Sequence, residues 1–109
     1  TISTVVNPTA PDDLAALGAT DTGSGSATVT FTAANDPNHF GTQFWRGTTT
    51  TFEAATPLDP VYSAPGAQGG FTDPTGFGTF YYWAAPINSS DVQGIVSGPV
   101  SVVVSDPGP

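Results

Sequence analysis

Apolar and polar residues alternate most regularly over residues 27–33, where Ala27, Val29, Phe31 and Ala33 fall on one side and Thr28, Thr30 and Thr32 on the other. Successive side chains of an extended chain point to opposite faces, so this stretch reads as a strand with one face in a core and one in water. Asn35, Asp36, Pro37 and Asn38 end it in a turn. A second alternating stretch at 39–46 puts Phe40, Thr42 and Phe44 on one face and Gln43 and Trp45 on the other. The stretch 78–88 carries rings on both faces: Phe80 and Tyr82 with Ala84, and Tyr81 and Trp83 with Ala85. A strand of that kind belongs in the middle of a sheet, one face in the core.

Shorter elements fill in around these. Leu14 and Leu17 predict an opening strand with both side chains inward, because Gly18 cuts off any helix after one turn. Residues 21–26 are a turn, and Gly47 with Thr48 to Thr51 a hairpin region. Val61, Tyr62 and Ser63 form a short strand between prolines, and Gly70, Phe71 and Thr72 another that ends at Asp73-Pro74. A loop at 89–94 leads to a closing strand at 100–104. About seven short strands, turns roughly every 8–12 residues and no helical period predict an all-β, antiparallel, seven-stranded β-sandwich. One domain spans 9–104, with an arm at 1–8 and a Pro/Gly linker at 105–109.

Composition narrows the functional classes. Asp and Glu number 9 against a single basic residue, Arg46, for a formal net charge of −8. No basic surface exists to track phosphates, so no nucleic-acid partner is expected. No apolar run approaches the roughly 20 residues of a membrane span, so no membrane insertion is expected either. With no cysteine there is neither a disulfide framework nor a thiolate metal site. Charged residues make up only 9% of the chain, which leaves Thr, Ser, Asn and Gly to cover the surface. That composition suits an extracellular or virion-surface module.

No catalytic constellation is visible. His39 is the only histidine; it follows a turn and is expected to be exposed, and one His among scattered Asp does not make a metal site. Asp12, Asp13, Asp36, Asp59, Asp73 and Asp91 sit in turns, where their side chains bond nearby backbone. No loop has the dense carboxylate spacing of a calcium site, and no serine stands in a nucleophile elbow. No cofactor is expected. The aromatic residues offer the one candidate surface. If Phe44 and Phe80 point inward, Trp45, Tyr81 and Trp83 share the outward face, an aromatic patch suited to stacking on a sugar or to contact with another subunit. The same residues, packed on each other or beneath Arg46 or a loop, would instead make a satellite core. A shifted register would turn Trp45 inward.

The order of these features resembles a fibronectin type III module. The similarity runs through Pro11 and Leu14, the alternating second strand, Phe44-Trp45-Arg46-Gly47 in the third-strand position, and Gly78-Thr79-Phe80-Tyr81-Tyr82-Trp83-Ala84-Ala85-Pro86-Ile87-Asn88, which is similar to the family's G-T-x-Y-x-Y-x-V-x-A-x-N strand. Gly94-Ile95-Val96-Ser97-Gly98-Pro99-Val100 resembles the entry to its last strand. Within that family, F-W-R-G-T-T-T-T-F-E-A-A together with F-Y-Y-W-A-A looks most like modules of bacteriophage tail-tip, host-specificity and fibre proteins. The resemblance implies an immunoglobulin/fibronectin type III-like sandwich and a non-enzymatic part in a virion tail, neck or fibre, in assembly or host attachment. Other subunits or host surface glycans would be its partners. The alternative is a spacer or glycan-binding module of a secreted carbohydrate-active enzyme. Three positions depart from the pattern. The corner tyrosine falls at Phe80, so its hydroxyl bond must be absent or replaced. Phe31 stands where a core Trp is usual, and Pro86 should loosen or bulge its strand.

Overall fold

The computed structural model describes residues 9–105. The expected arm at 1–8, and the linker beyond its first residue, lie outside the described residues. Eight strands follow in order: β1 (Ala16–Asp21), β2 (Ala27–Thr32), β3 (Gly41–Gly47), β4 (Thr56–Pro57), β5 (Val61–Tyr62), β6 (Gln68–Asp73), β7 (Gly78–Ile87) and β8 (Ser97–Val104). All pair antiparallel, in a three-stranded sheet of order β1-β2-β6 and a five-stranded sheet of order β4-β3-β7-β8, with β5 also on β3. The arrangement is an all-β sandwich. The strand beyond the expected seven is β4, two residues that pair Thr56 with Arg46 and Pro57 with Trp45.

The two inner faces meet as the alternation predicts. Ala27, Val29 and Phe31 of β2 pack against Phe44 of β3, Tyr82 and Ala84 of β7, and Val102 and Val104 of β8. The Phe44 ring sits at the centre, edge-on to Phe31 at 5.4 Å and to Phe71 at 4.9 Å. Leu14 and Leu17 are partly buried against this cluster. Each large side chain so enclosed contributes about 1.5–3 kcal/mol. Gly69 makes room for the core: a Cβ there would come within 2.8 Å of the Phe31 ring.

Three local expectations are corrected. The opening strand begins at Ala16 and runs through Gly18, held by the Gly18–Thr30 pairing of the ladder. Phe40 does not join the inner face: β3 starts one residue later, and the Phe40 side chain is 47% exposed. The irregularity expected at Pro86 falls elsewhere, between Tyr82 and Ala84 on the β8 side, where the register shifts. Pro86 itself is fully buried within β7. Its carbonyl accepts from Gly94 N–H at 2.8 Å on the side that β8 has already left, so the missing proline donor breaks no ladder bond there.

Candidate functional site

β3 and β7 place Trp45 directly opposite Trp83, and Gly47 opposite Tyr81, so the candidate residues do share the outer face of the larger sheet. That face is not open. Residues after β3 fold back over it, and a single 3-10 turn, Phe52–Ala54, drops the Phe52 ring onto both indoles. Phe52 meets Trp45 edge-on at 5.0 Å and Trp83 at 5.7 Å. On the other flank the chain of β8 rises over Trp83: a Cβ on Gly98 would lie 3.2 Å from its Cδ1. Trp83 is therefore only 3% exposed, which corrects the expectation of an exposed indole at this position. Trp45 and Tyr81 are half-buried. Trp45 and Trp83 form a satellite core with Phe52 outside the sheet, in the register that keeps Trp45 outward, and Tyr81 lies beside them opposite Gly47.

The inner face holds a polar group that the sequence did not announce. Arg46 Nη1 donates to Asp73 Oδ1 at 2.9 Å and to Oδ2 at 2.8 Å, and the Tyr82 hydroxyl donates to the same Oδ2 at 2.7 Å. Asp73 was expected to bond its own turn. It is instead the last residue of β6 and buried, and it joins the two sheets. Arg46 and Tyr82 are register partners across β3 and β7, so the ladder itself aims both side chains at one carboxylate. The guanidinium also lies 6.0 Å from the centre of the Phe80 ring. Burial, reinforced by the Asp73 hydrogen bond, holds the Tyr82 hydroxyl well above the usual phenol range, so it remains a donor. Phe80 has no hydroxyl to donate; two residues on, the Tyr82 hydroxyl is bonded to a carboxylate.

His39 is 3% exposed, not exposed as its turn context suggested. Its backbone N–H donates to Asp36 O at 2.9 Å, and neither ring nitrogen has a hydrogen-bond partner. Burial lowers its pKa, against a smaller opposing pull from Asp36. Asp36 accepts from Asn38 N–H at 3.0 Å and from Asp12 N–H at 2.8 Å, and these bonds hold its carboxyl below the usual range. Asp36 thereby pins the lead-in to β1. No group of three His, Asp or Glu side chains suited to a metal ion occurs among the described residues.

The aromatics that do reach solvent are others. Phe40 and Tyr62 pair at 5.2 Å with a tilt of 56°, and Tyr62 is 59% exposed. Tyr62 lies over Gly41, where a Cβ would come within 2.8 Å of the ring. Alternation hid this pair, because it assigned Phe40 to the core. A comparison with protein-family models finds no match for the chain, and neither does a comparison with curated proteins.

Proposed function

We propose that this chain is a non-enzymatic fibronectin type III-like interaction module of a virion tail, neck or fibre, displayed at the particle surface and serving assembly or host attachment. The observation that carries the non-enzymatic part is the mutual engagement of Arg46, Asp73 and Tyr82. The one basic side chain and the carboxylate and phenol nearest to it are bonded to one another across the sheets, as a strut, and His39 is buried away from them in the turn after β2. Strand order supports this reading of the sandwich type: the orders β1-β2-β6 and β3-β7-β8 are those expected of strands A-B-E and C-F-G in an immunoglobulin-like sandwich. The virion setting rests on the sequence resemblance and on a surface nearly devoid of cations.

The test is placement in the assembled particle. Mass spectrometry of purified particles should find the chain at a fixed copy number, and antibody to the domain should label intact particles from outside. Recovery of the chain only as part of a soluble secreted hydrolase would overturn the virion reading. That result would favour the second reading, a glycan-binding accessory module, for which the exposed Phe40–Tyr62 pair offers a stacking surface. In that case Tyr62→Ala should abolish retention on a polysaccharide matrix while leaving the fold intact.

A further inference from the structure

We propose that the open side of the sandwich, between β6 and the segment joining β4 to β5, binds an extended, cation-bearing segment of a partner protein as an added strand. The proposal rests on the reading of the domain as an interaction module, and it names the chemistry of the partner.

Three observations converge on this side. Among the described residues, β6 pairs with β2 alone. Ala33 N–H donates to Ala67 O at 2.8 Å, one step beyond the end of the β2–β6 ladder. In an antiparallel ladder the bonded pairs recur every second residue, so Gly69, Phe71 and Asp73 face β2 while the backbone groups of Gln68, Gly70 and Thr72 face outward. The position of Gly70 agrees, since a Cβ there would lie 3.5 Å from Thr30 Cα, the close approach of a non-bonded pair. Edge strands are ordinarily blunted by proline, lysine, a bulge or a covering element. β6 has no proline or lysine, and its register runs unbroken from Gln68 to Asp73. The other edge of the same sheet, β1, packs along β8.

Beside the open edge lies a groove of 320 Å³ lined by Leu58, Pro60, Val61 and Phe71, with Asp59 and Asp73 at its polar margin. An added strand would send alternate side chains into this groove, where apolar ones are favoured. Asp73 is already bonded to Arg46, whereas Asp59 is exposed and has no ion-pair partner among the described residues. Asp59 therefore calls for a cation on the incoming segment. A second copy of this chain is a poor source: its formal charge is −8, and its one basic side chain is held by Asp73. Residues 1–8 contain no basic side chain at all.

The experiment titrates the full chain with a synthetic peptide of alternating valine and threonine carrying one central lysine, and with its glutamate counterpart. Binding is followed calorimetrically, and backbone amide exchange is followed by NMR. The lysine peptide should bind and slow exchange at the amides of Gln68, Gly70 and Thr72, and the glutamate peptide should not. Thr72→Pro, which removes an outward N–H without breaking the β2 ladder, should weaken binding by more than about tenfold, and Asp59→Asn by a smaller factor. Thermal melts of both variants verify that they fold. No binding of the lysine peptide, binding without protection of those three amides, or indifference to Thr72→Pro each overturns the proposal. Self-association of the chain that Thr72→Pro abolishes would assign the edge to a second copy and overturn it too. None of these outcomes bears on the particle-placement test, so the two readings fail separately.

Discussion

Tyr82 hydroxyl, Asp73 carboxylate and Arg46 guanidinium form a chain of bonds in which each member depends on the next. Replacing Arg46 by Met leaves a buried carboxylate without its counter-charge; the expected loss is about 3 kcal/mol, the lower end for a broken buried pair because the guanidinium is partly exposed. Tyr82→Phe removes one bond to a charged acceptor and should cost about 1.5–3 kcal/mol. Urea denaturation of both variants measures these, and the double variant should fall short of their sum because they share Asp73. The inward direction of Tyr82 was legible in the alternation of 78–88. Its partner was not, because Asp73 next to Pro74 has the local signature of a turn, and only the β2–β6 register carries it under the sheet. Trp83 teaches the same lesson. Trp83→Ala should destabilise by about 3–5 kcal/mol, as for a core aromatic, whereas Trp45→Ala should cost clearly less. Equal and negligible effects in thermal melts would contradict the satellite core.

Among the elements, the outer cover of β7 depends on two short pieces with little intrinsic stability. The 3-10 turn Phe52–Ala54 has no side-chain cap and no buried residue of its own, so its position is set by the Phe52 ring between the indoles. Phe52→Ala should release it and shift Trp emission to the red, with the melting temperature lowered. At the start of β8, Gly98 adopts φ 116° and packs so tightly that a Cβ would meet Tyr82 O at 2.7 Å. Gly98→Ala should destabilise the domain by more than about 1 kcal/mol, through backbone strain and displacement of β8 from β7. Hydrogen exchange in β8 is the appropriate measurement. The strands β2, β3 and β7 were readable from alternation and β6 from the turn residues around it, but these covers were not: a run of four threonines and a Gly-Pro pair carry no period that tells which surface they will lie on.

At the scale of the whole molecule, stability should follow a plateau in pH with defined edges. The folded state prefers neutral His39, so stability is complete above the ordinary value of about 6.5 and declines as pH falls through it toward the lowered folded value. Asp36, whose folded pKa is lowered, is stabilising above its ordinary value of about 3.9, and that contribution is lost as pH falls further. On the alkaline side, Tyr82 keeps its proton in the folded state, so stability declines as pH rises above about 10. Urea midpoints measured across this range should trace the plateau. His39→Leu should remove the slope that begins near pH 6.5 and leave the alkaline one unchanged.

The chain by itself determined the all-β character, the inward sets of β2 and β7, the two-sided central strand and a net charge of −8 with a single basic side chain. Each follows from a period of two or from a charge count, and both are local or additive properties. Tertiary structure alone decided that Trp83 is covered, that His39 is buried, that Asp73 bridges the sheets, that Phe40 reaches solvent beside Tyr62, and that β6 pairs on one side only among the described residues. Those outcomes depend on which surfaces meet. Alternation assigns a side chain to a face, but whether that face stays open depends on where distant turns and irregular segments come to rest against it.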